Sequence, residues 1–180
     1  MLNFSDQKKI LELKKRYSIY SPFADSKLFR KISRNLAELF RDVHVDKVLG
    51  LESRGFILGS VVAYILKCGF VVARKGGKMY PEYSDDRVFS TEAIDYSGKC
   101  KIIEIEKNDK AIQKGDKVLI VDDWFETGGQ GKATIRLVEA AGGTVVGIGI
   151  MLDDMTDKAR SIFTKYNLHS LVIKSAFKKF

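Results

Sequence analysis

The sequence has little of the residue types that cross-link or ligate small proteins. It contains two cysteines, Cys68 and Cys100, and two histidines, His44 and His169. Two cysteines without a CxxC spacing predict neither a disulfide framework nor a zinc site. Isolated histidines favour structural roles over acid–base or metal chemistry. The function of this chain is therefore expected to depend on other residue types.

Long apolar runs are also missing from the chain. No stretch approaches the roughly 18 consecutive apolar residues that a membrane-spanning helix needs. The first 17 residues contain four lysines, an arginine and two acidic residues, unlike the apolar core of a signal peptide. From these absences we expect a cytoplasmic protein that does not associate with membranes.

Size and charge set further bounds on the chain. With 180 residues, of which 45% are hydrophobic, we expect a single domain covering residues 1–180. Lysine and arginine number 31 against 23 acidic residues, a net charge of +8. This excess suits an anionic partner such as a phosphorylated metabolite, nucleic acid or membrane surface, and it equally fits a solvated basic surface. Charge alone does not choose among these partners.

The order of hydrophobic patterns predicts an α/β fold. Two helices are expected within residues 1–44, one starting at Ser5 and an amphipathic one starting near Asp25. Short apolar runs then predict buried strands, and they alternate with helical stretches. The expected strands are 47–51, 70–73, 117–121, 145–152 and 171–173, and the expected helices are 56–66, 132–141 and 156–166. This alternation predicts a single-domain, doubly wound parallel sheet with helices on both faces.

One segment departs from the alternation. Residues 75–99 are polar, contain three glycines and a proline, and show no sustained period. We expect a long flexible loop here, and loops longer than about 15 residues in compact domains are usually functional lids or disordered.

The strongest functional signal lies in residues 117–130, KVLIVDDWFETGGQ. A buried strand would deliver Asp122 and Asp123 to its carboxyl end, where open α/β sheets bind ligands. Gly128 and Gly129 would then present backbone N–H groups at a helix N-terminus, which suits a phosphate. The acids could bind ribose hydroxyls or a magnesium ion. The alternative is an ordinary strand-to-helix turn in which Asp123 caps the helix.

These residues resemble the phosphoribosyl pyrophosphate (PRPP) motif of the type I phosphoribosyltransferases. Two more segments follow the family's order. Residues 50–56, GLESRGF, are similar to the pyrophosphate loop of adenine phosphoribosyltransferases, and residues 74–78, RKGGK, are similar to the family's RKxGK. The resemblance covers roughly residues 20–152. It implies the same fold, with a loop that closes over the catalytic site.

The resemblance also implies roles for individual residues. Asp122 and Asp123 would contact the ribose. The PRPP 5-phosphate would lie against Thr127, Gly128, Gly129 and Gln130, and the pyrophosphate would contact Ser53, Arg54, Arg74, Lys75 and Lys78. Magnesium would be held mainly through PRPP rather than by direct protein ligands. The family further implies a homodimer, with PRPP and a purine base as the partners and nucleic acid not expected.

Three departures from the family concern the base. Residues 14–22 lack the apolar hood segment, resembling PGVxFRDI, that covers the purine in adenine enzymes. The family's catalytic loop glutamate is matched by Asp95, and Glu92 is the other candidate. Glu126 stands where 6-oxopurine enzymes carry a catalytic aspartate, so it is a further candidate acid–base residue. We expect a purine-salvage enzyme acting first on adenine, with another base such as a 6-oxopurine, or a non-catalytic nucleotide-sensing regulator, as alternatives.

Overall fold

A computed structural model describes residues 2–12, 20–79, 87–94 and 98–177. Its centre is a seven-stranded sheet in the order β3-β4-β2-β1-β5-β6-β7. The strands are β1 Lys47–Leu51, β2 Gly69–Lys75, β3 Val88–Ile94, β4 Cys100–Glu106, β5 Lys117–Phe125, β6 Thr144–Asp153 and β7 Leu168–Ile173. Strands β2, β1, β5, β6 and β7 are parallel, and the β3–β4 pair joins β2 antiparallel. The predicted parallel α/β sheet is confirmed, with an added antiparallel edge.

The helices lie on both faces of this sheet. They are α1 Phe4–Glu12, α2 Ser21–Ala24, α3 Ser26–Glu38, α4 Arg54–Leu66, α5 Gly129–Ala140 and α6 Asp157–Arg160. The predicted start of α3 is confirmed, because Asp25 accepts hydrogen bonds from the backbone N–H groups of Lys27 and Leu28, both at 3.0 Å. The first helix ends at Glu12 within the described residues, and residues 13–19 lie outside them. None of the described helices is long and apolar enough to cross a membrane.

Alternation along the central strands builds two cores. Leu49 and Ile120 pack with α5 on one face, whereas Val48 and Val121 pack with α1, α3 and α4 on the other. Successive strand residues point to opposite faces, so strands buried on both sides must be apolar throughout. The near-continuous apolar runs in the sequence have this physical cause.

The expected loop over residues 75–99 is wrong for residues 88–94. Residues 88–94 form β3, which pairs antiparallel with the equally unpredicted β4. Only every second residue of β3 needs to face the core, and Thr91 and Ala93 are too weakly hydrophobic to mark that period. Strand β3 is instead stabilised by pairing with β4 and by packing against α5.

The predicted helix over residues 156–166 is also shorter than expected. The α-helical part is limited to α6, and a 3-10 turn follows at Thr164–Tyr166. Between them, Phe163 is drawn fully into the core, and the bonds from Phe163 N to Arg160 O and from Tyr166 N to Phe163 O span three residues instead of four.

Candidate active site

Three of the predicted site segments meet at one edge of the sheet. Residues 52–55 follow β1, residues 74–78 begin at the end of β2, and residues 122–130 run from the end of β5 into α5. These three strands are adjacent and parallel, so their carboxyl ends lie side by side. This edge is where ligands bind in open α/β sheets.

Glycine residues allow the start of α4 to approach the strands closely. A Cβ atom on Gly55 would lie 2.9 Å from Asp122 Oδ1 and 3.0 Å from the carbonyl oxygen of Val121. A Cβ atom on Gly50 would lie 2.5 Å from the Gly55 carbonyl oxygen. Any side chain at these positions would separate α4 from β1 and β5. The two glycines therefore bring Arg54, the first residue of α4, next to the acid pair.

Arg54 and Asp123 form a direct ion pair. Arg54 Nε donates a hydrogen bond to Asp123 Oδ2, and the Asp123 side chain is only 4% exposed. Burial by itself would lower the pKa of Arg54, but the hydrogen bond and charge of Asp123 raise that pKa above its ordinary value. The Arg54 guanidinium also lies 5.9 Å from the centre of the Tyr20 ring. The predicted pyrophosphate loop and the predicted ribose-binding acids are thus in contact.

Asp122 differs sharply from its neighbour. It is buried, and it accepts a hydrogen bond from the backbone N–H of Asp123 at 2.9 Å. Burial, and after it the charge of Asp123, raises the pKa of Asp122 well above its ordinary value. The pair therefore holds one negative charge more readily than two. A protonated carboxyl can donate as well as accept, which suits contacts with sugar hydroxyls.

Three of the four basic residues predicted to bind pyrophosphate lie around one carboxylate. We call Arg74, Lys75 and Lys78 the basic cluster. Glu52 accepts hydrogen bonds from Lys78 Nζ at 2.6 Å and from the Lys75 backbone N–H at 2.9 Å. Arg74 Nε lies 3.9 Å from the same carboxylate, and it is buried without a hydrogen-bond partner among the described residues.

Sequence reasoning missed this role of Glu52, although Glu52 lies inside the GLESRGF segment. Burial would raise the pKa of Glu52, but the hydrogen bonds from Lys78 and Lys75 outweigh it and lower the pKa. The ionised carboxylate is thus stabilised in the folded protein. An acid directly before Ser53 and Arg54, with an RKGGK segment elsewhere in the chain, was the available signal.

Residues 127–130, which we call the phosphate turn, lead from β5 into α5. Gly128 is the N-cap of α5 and has a φ of 74°, a conformation that favours glycine. Thr127 Oγ1 accepts a hydrogen bond from Gly129 N at 3.4 Å. The first N–H groups of an α-helix such as α5 have no partner within the helix itself. Gln130 lines one small cleft together with Glu52, Arg74 and Lys75. Gln130 of the phosphate turn and two residues of the basic cluster, Arg74 and Lys75, therefore face the same space.

The remaining predicted residues are distributed unevenly. Ser53 is exposed and is the N-cap of α4, but its hydroxyl makes no capping hydrogen bond to any described residue. Glu126 is exposed directly after β5. Glu92 lies on β3, where its carbonyl oxygen accepts a hydrogen bond from Arg136 Nη2 at 2.5 Å. Asp95 lies outside the described residues.

A parallel sheet that carries an acid pair, a glycine turn and a basic cluster at its carboxyl edge is typical of α/β proteins that bind phosphorylated ligands. The family model "Phosphoribosyl transferase domain" matches residues 23–180. The chain therefore belongs to the phosphoribosyltransferase family, and the expected fold and family are confirmed.

Individual relatives agree with this assignment. The chain is 44% identical, over 73% of its length and 69% of the relative's, to an adenine phosphoribosyltransferase of Dinoroseobacter shibae. It is 40% identical to the enzyme of that name from Natranaerobius thermophilus, over 85% of each chain. The crystal structure of adenine phosphoribosyltransferase from Rhodothermus marinus superposes with a TM-score of 0.76 at 31% identity, covering 95% of this chain and 99% of that one.

Proposed function

We propose that this protein transfers the 5-phosphoribosyl group of PRPP to adenine, yielding AMP and pyrophosphate in purine salvage. The contact between Arg54 and Asp123 is the observation that carries the proposal, because it joins the segments assigned to the leaving group and to the sugar. The relatives named adenine phosphoribosyltransferase support adenine as the base.

In this proposal each segment binds one part of PRPP. The phosphate turn holds the 5-phosphate with its backbone N–H groups and with the side chains of Thr127 and Gln130. Asp122 and Asp123 bind the ribose hydroxyls. Ser53, Arg54 and the basic cluster bind the pyrophosphate. The buried Arg74 Nε, which lacks a hydrogen-bond partner among the described residues, supports this last role because a pyrophosphate oxygen would supply the missing acceptor.

The reaction is a displacement at the anomeric carbon of the ribose. A nitrogen of adenine forms the new bond to this carbon, the bond to the pyrophosphate oxygen breaks, and the nitrogen loses its proton. Positive charge develops on the sugar ring, and the carboxylate of Asp123 stabilises it. Arg54 and Lys78 neutralise the departing pyrophosphate.

The residues at this edge also fit a magnesium ion carried by the substrate. Magnesium in proteins commonly binds through one or two carboxylates together with substrate phosphates. Asp123 is a carboxylate next to the proposed ribose site, so it would face a magnesium ion that is held mainly by PRPP, and magnesium, when bound, would neutralise the charge of the leaving group. We propose that Mg²⁺ is the cofactor on this basis.

Glu126 and Asp95 are the proposed groups for proton exchange with adenine, with Glu92 as a further candidate. We propose to separate them with Glu126→Gln, Asp95→Asn and Glu92→Gln. The exposed Glu38 on α3, changed to Gln, is the matched control. The true proton-transfer group should lower kcat by about 100-fold with little change in the KM for PRPP, whereas a surface charge should behave like Glu38.

The experiment that tests the function follows pyrophosphate release from magnesium PRPP. Adenine, hypoxanthine, guanine, xanthine, uracil and orotate are offered separately, and an Asp122→Asn, Asp123→Asn protein serves as the blank. Turnover with adenine supports the proposal. Turnover only with a 6-oxopurine would overturn the choice of base and favour Glu126 as the catalytic group. Tight PRPP binding without any turnover would overturn the enzyme in favour of a regulator.

We further propose that the protein is a cytoplasmic homodimer, as the resemblance to the family implies. Light scattering coupled to size-exclusion chromatography gives the mass in solution directly. A mass of twice 20.3 kDa is the expected result, and a monomer that retains full activity would contradict the proposal.

A further inference from the structure

The phosphate turn rests on two buried aromatic rings. A Cβ atom on Gly128 would lie 2.6 Å from Phe163 Cε2 and 3.3 Å from Met155 Sδ. A Cβ atom on Gly131, in the first turn of α5, would lie 2.5 Å from Phe125 Cε2 and 3.1 Å from Phe163 Cε1. The two phenylalanine rings are themselves in contact, with centroids 5.6 Å apart. The backbone of the turn therefore lies directly on the rings, with no side chain between them.

The two rings are attached to the fold in different ways. Phe125 is the last residue of β5 and is fixed by the sheet. Phe163 comes from the irregular segment after α6, about 35 residues further along the chain, in a region without regular strand or helix pairing. It is nevertheless 0% exposed. Apolar packing in the core holds the ring of Phe163, and a further interaction orders the backbone that precedes it.

That interaction is a buried ion pair between Asp153 and Arg160. Arg160 Nε donates to Asp153 Oδ2 at 2.6 Å, and Arg160 Nη2 donates to Asp153 Oδ1 at 3.1 Å. The side chain of Asp153 is 1% exposed, and it also accepts a hydrogen bond from the backbone N–H of Met155 at 2.9 Å. The carbonyl of Arg160 in turn accepts from Phe163 N at 2.9 Å. One carboxylate thus fixes both Met155 and the backbone that precedes Phe163.

The cost of burying a carboxylate indicates that Asp153 has a specific role in orienting its neighbours. A buried carboxylate is costly unless its charge is paired and its oxygens accept hydrogen bonds. Asp153 at the end of β6 meets both conditions, and it lies opposite Phe125 in the β5–β6 register. An apolar residue at this position would avoid the desolvation cost, but it could not orient Arg160 and Met155.

We propose that Phe163, held by the Asp153–Arg160 pair, positions the phosphate turn for binding of the PRPP 5-phosphate. Phe163, Met155, Asp153 and Arg160 are therefore positioning residues that act through the turn. This inference rests on the proposed function, which places the 5-phosphate at residues 127–130. Its consequence is that phosphate affinity depends on the loop after β6.

The structure offers a matched control for this proposal. Phe40 is also a phenylalanine at 0% exposure, and it also packs against two glycines. Cβ atoms on Gly147 and Gly149 would lie 2.5 Å and 2.8 Å from its ring. However, Phe40 belongs to the core on the opposite face from α5. The variants Phe163→Leu and Phe40→Leu remove the same group from equally buried positions, and only the first lies under the turn.

Two ligands allow the two halves of the site to be tested separately. Ribose 5-phosphate carries the 5-phosphate alone, and pyrophosphate carries the leaving group alone. Titrations followed by phosphorus NMR give both dissociation constants, and the amide signals of Gly128 and Gly129 report whether ribose 5-phosphate binds at the turn. We expect Phe163→Leu to raise the Kd for ribose 5-phosphate about tenfold, because a small displacement of a binding group is costly. The Kd for pyrophosphate should change by less than about twofold, as should both constants in Phe40→Leu.

Arg160 variants test the same proposal if Phe163→Leu does not fold. Arg160→Lys keeps a cation near Asp153, whereas Arg160→Met leaves that carboxylate buried and unpaired. Lysine should restore most of the ribose 5-phosphate affinity that methionine loses. Equal phosphate affinity in Phe163→Leu and Phe40→Leu, or no difference between the Arg160 variants, would overturn the positioning role. If wild-type ribose 5-phosphate leaves the amides of Gly128 and Gly129 unshifted, the proposed function fails together with this inference.

Discussion

The two sides of the site are held in place by different forces. The phosphate turn lies on Phe125 and Phe163, which are 2% and 0% exposed. The basic cluster gathers around the carboxylate of Glu52, and the side chain of Lys78 is 48% exposed. Close packing fixes groups rigidly, whereas a partly exposed ion pair contributes little stability and can exchange partners.

This difference suits the two halves of PRPP. The 5-phosphate remains on the ribose throughout the proposed reaction, so its site can be rigid. The pyrophosphate becomes a separate molecule, so its cations have to bind it and then release it. Arg54 and Asp123 connect the two sides, and the predictions below change either that connection or one side at a time.

The largest effect is expected from Asp123→Asn, which removes the ion pair between Arg54 and Asp123. The amide cannot stabilise positive charge on the sugar, and it leaves the guanidinium of Arg54 without its buried anion. Steady-state pyrophosphate release should show kcat/KM lowered on the order of 1000-fold. Asp109→Asn is the control, because that side chain is 81% exposed in its own ion pair. A loss of less than about tenfold would contradict the assigned role.

The next largest effect is expected from Gly128→Ala, which disrupts the packing of the phosphate turn on Phe163. Both Gly128 and Gly115 have positive φ, but a Cβ atom on Gly115 would meet nothing within 4 Å. Gly115→Ala should therefore lose only about 1 kcal/mol of unfolding free energy, from backbone strain alone. Gly128→Ala should lose about 3 kcal/mol, because its new methyl group also overlaps Phe163. Urea unfolding measures both values, and equal losses would show that the ring does not constrain the turn.

A smaller effect is expected from Lys78→Met on the charged side. Loss of one cation from the basic cluster should lower kcat/KM for PRPP about tenfold, while the unfolding free energy changes by less than about 1 kcal/mol. Lys110→Met is the matched control, since Lys110 forms an ion pair with Asp109 at 88% exposure. If the tenfold loss of kcat/KM came with a loss of unfolding free energy well above 1 kcal/mol, Lys78 would instead have a structural role.

The smallest effect is a pair of opposite pH dependences. The raised pKa of Asp122 lets the folded protein keep a proton that the unfolded chain releases near its ordinary pKa of about 3.9. Stability should therefore fall as the pH rises from about 4 through the raised pKa, and Asp122→Asn should remove this slope.

The lowered pKa of Glu52 acts in the other direction. Its contribution is present above about pH 4.3 and is lost as the pH falls through the lowered value, so Glu52→Gln should flatten the acid limb of the curve.

Much of the fold was predictable because its central strands are buried on both faces. The run from Lys117 to Val121 can be read as a strand from composition alone, since each of its inner residues must be apolar. The β3–β4 hairpin could not be predicted in the same way. Its stability comes from pairing and from contact with α5, and Thr91 gives no clear local signal.

The same difference between local patterns and long-range contacts applies to the site residues. Asp122, Asp123 and Gly128 could be predicted as site residues from the sequence because strand, acids and turn are contiguous along the chain. The contacts of Glu52 with Lys78 and of Phe163 with Gly128 join residues 26 and 35 positions apart. No local pattern encodes such a contact, because it depends on how distant segments of the chain pack in the fold.

The ion pair between Arg54 and Asp123 has a kinetic consequence for the proposed reaction. In the free protein each of these residues is an intramolecular competitor for the ligand of the other. Arriving PRPP has to replace a contact that already exists, so part of its binding free energy is used to separate the pair. In the reverse direction, Asp123 offers Arg54 an alternative anion as soon as pyrophosphate begins to dissociate. If Arg54 and Asp123 bind PRPP as proposed, product release is thereby assisted, and some affinity for bound PRPP is lost in return for faster turnover.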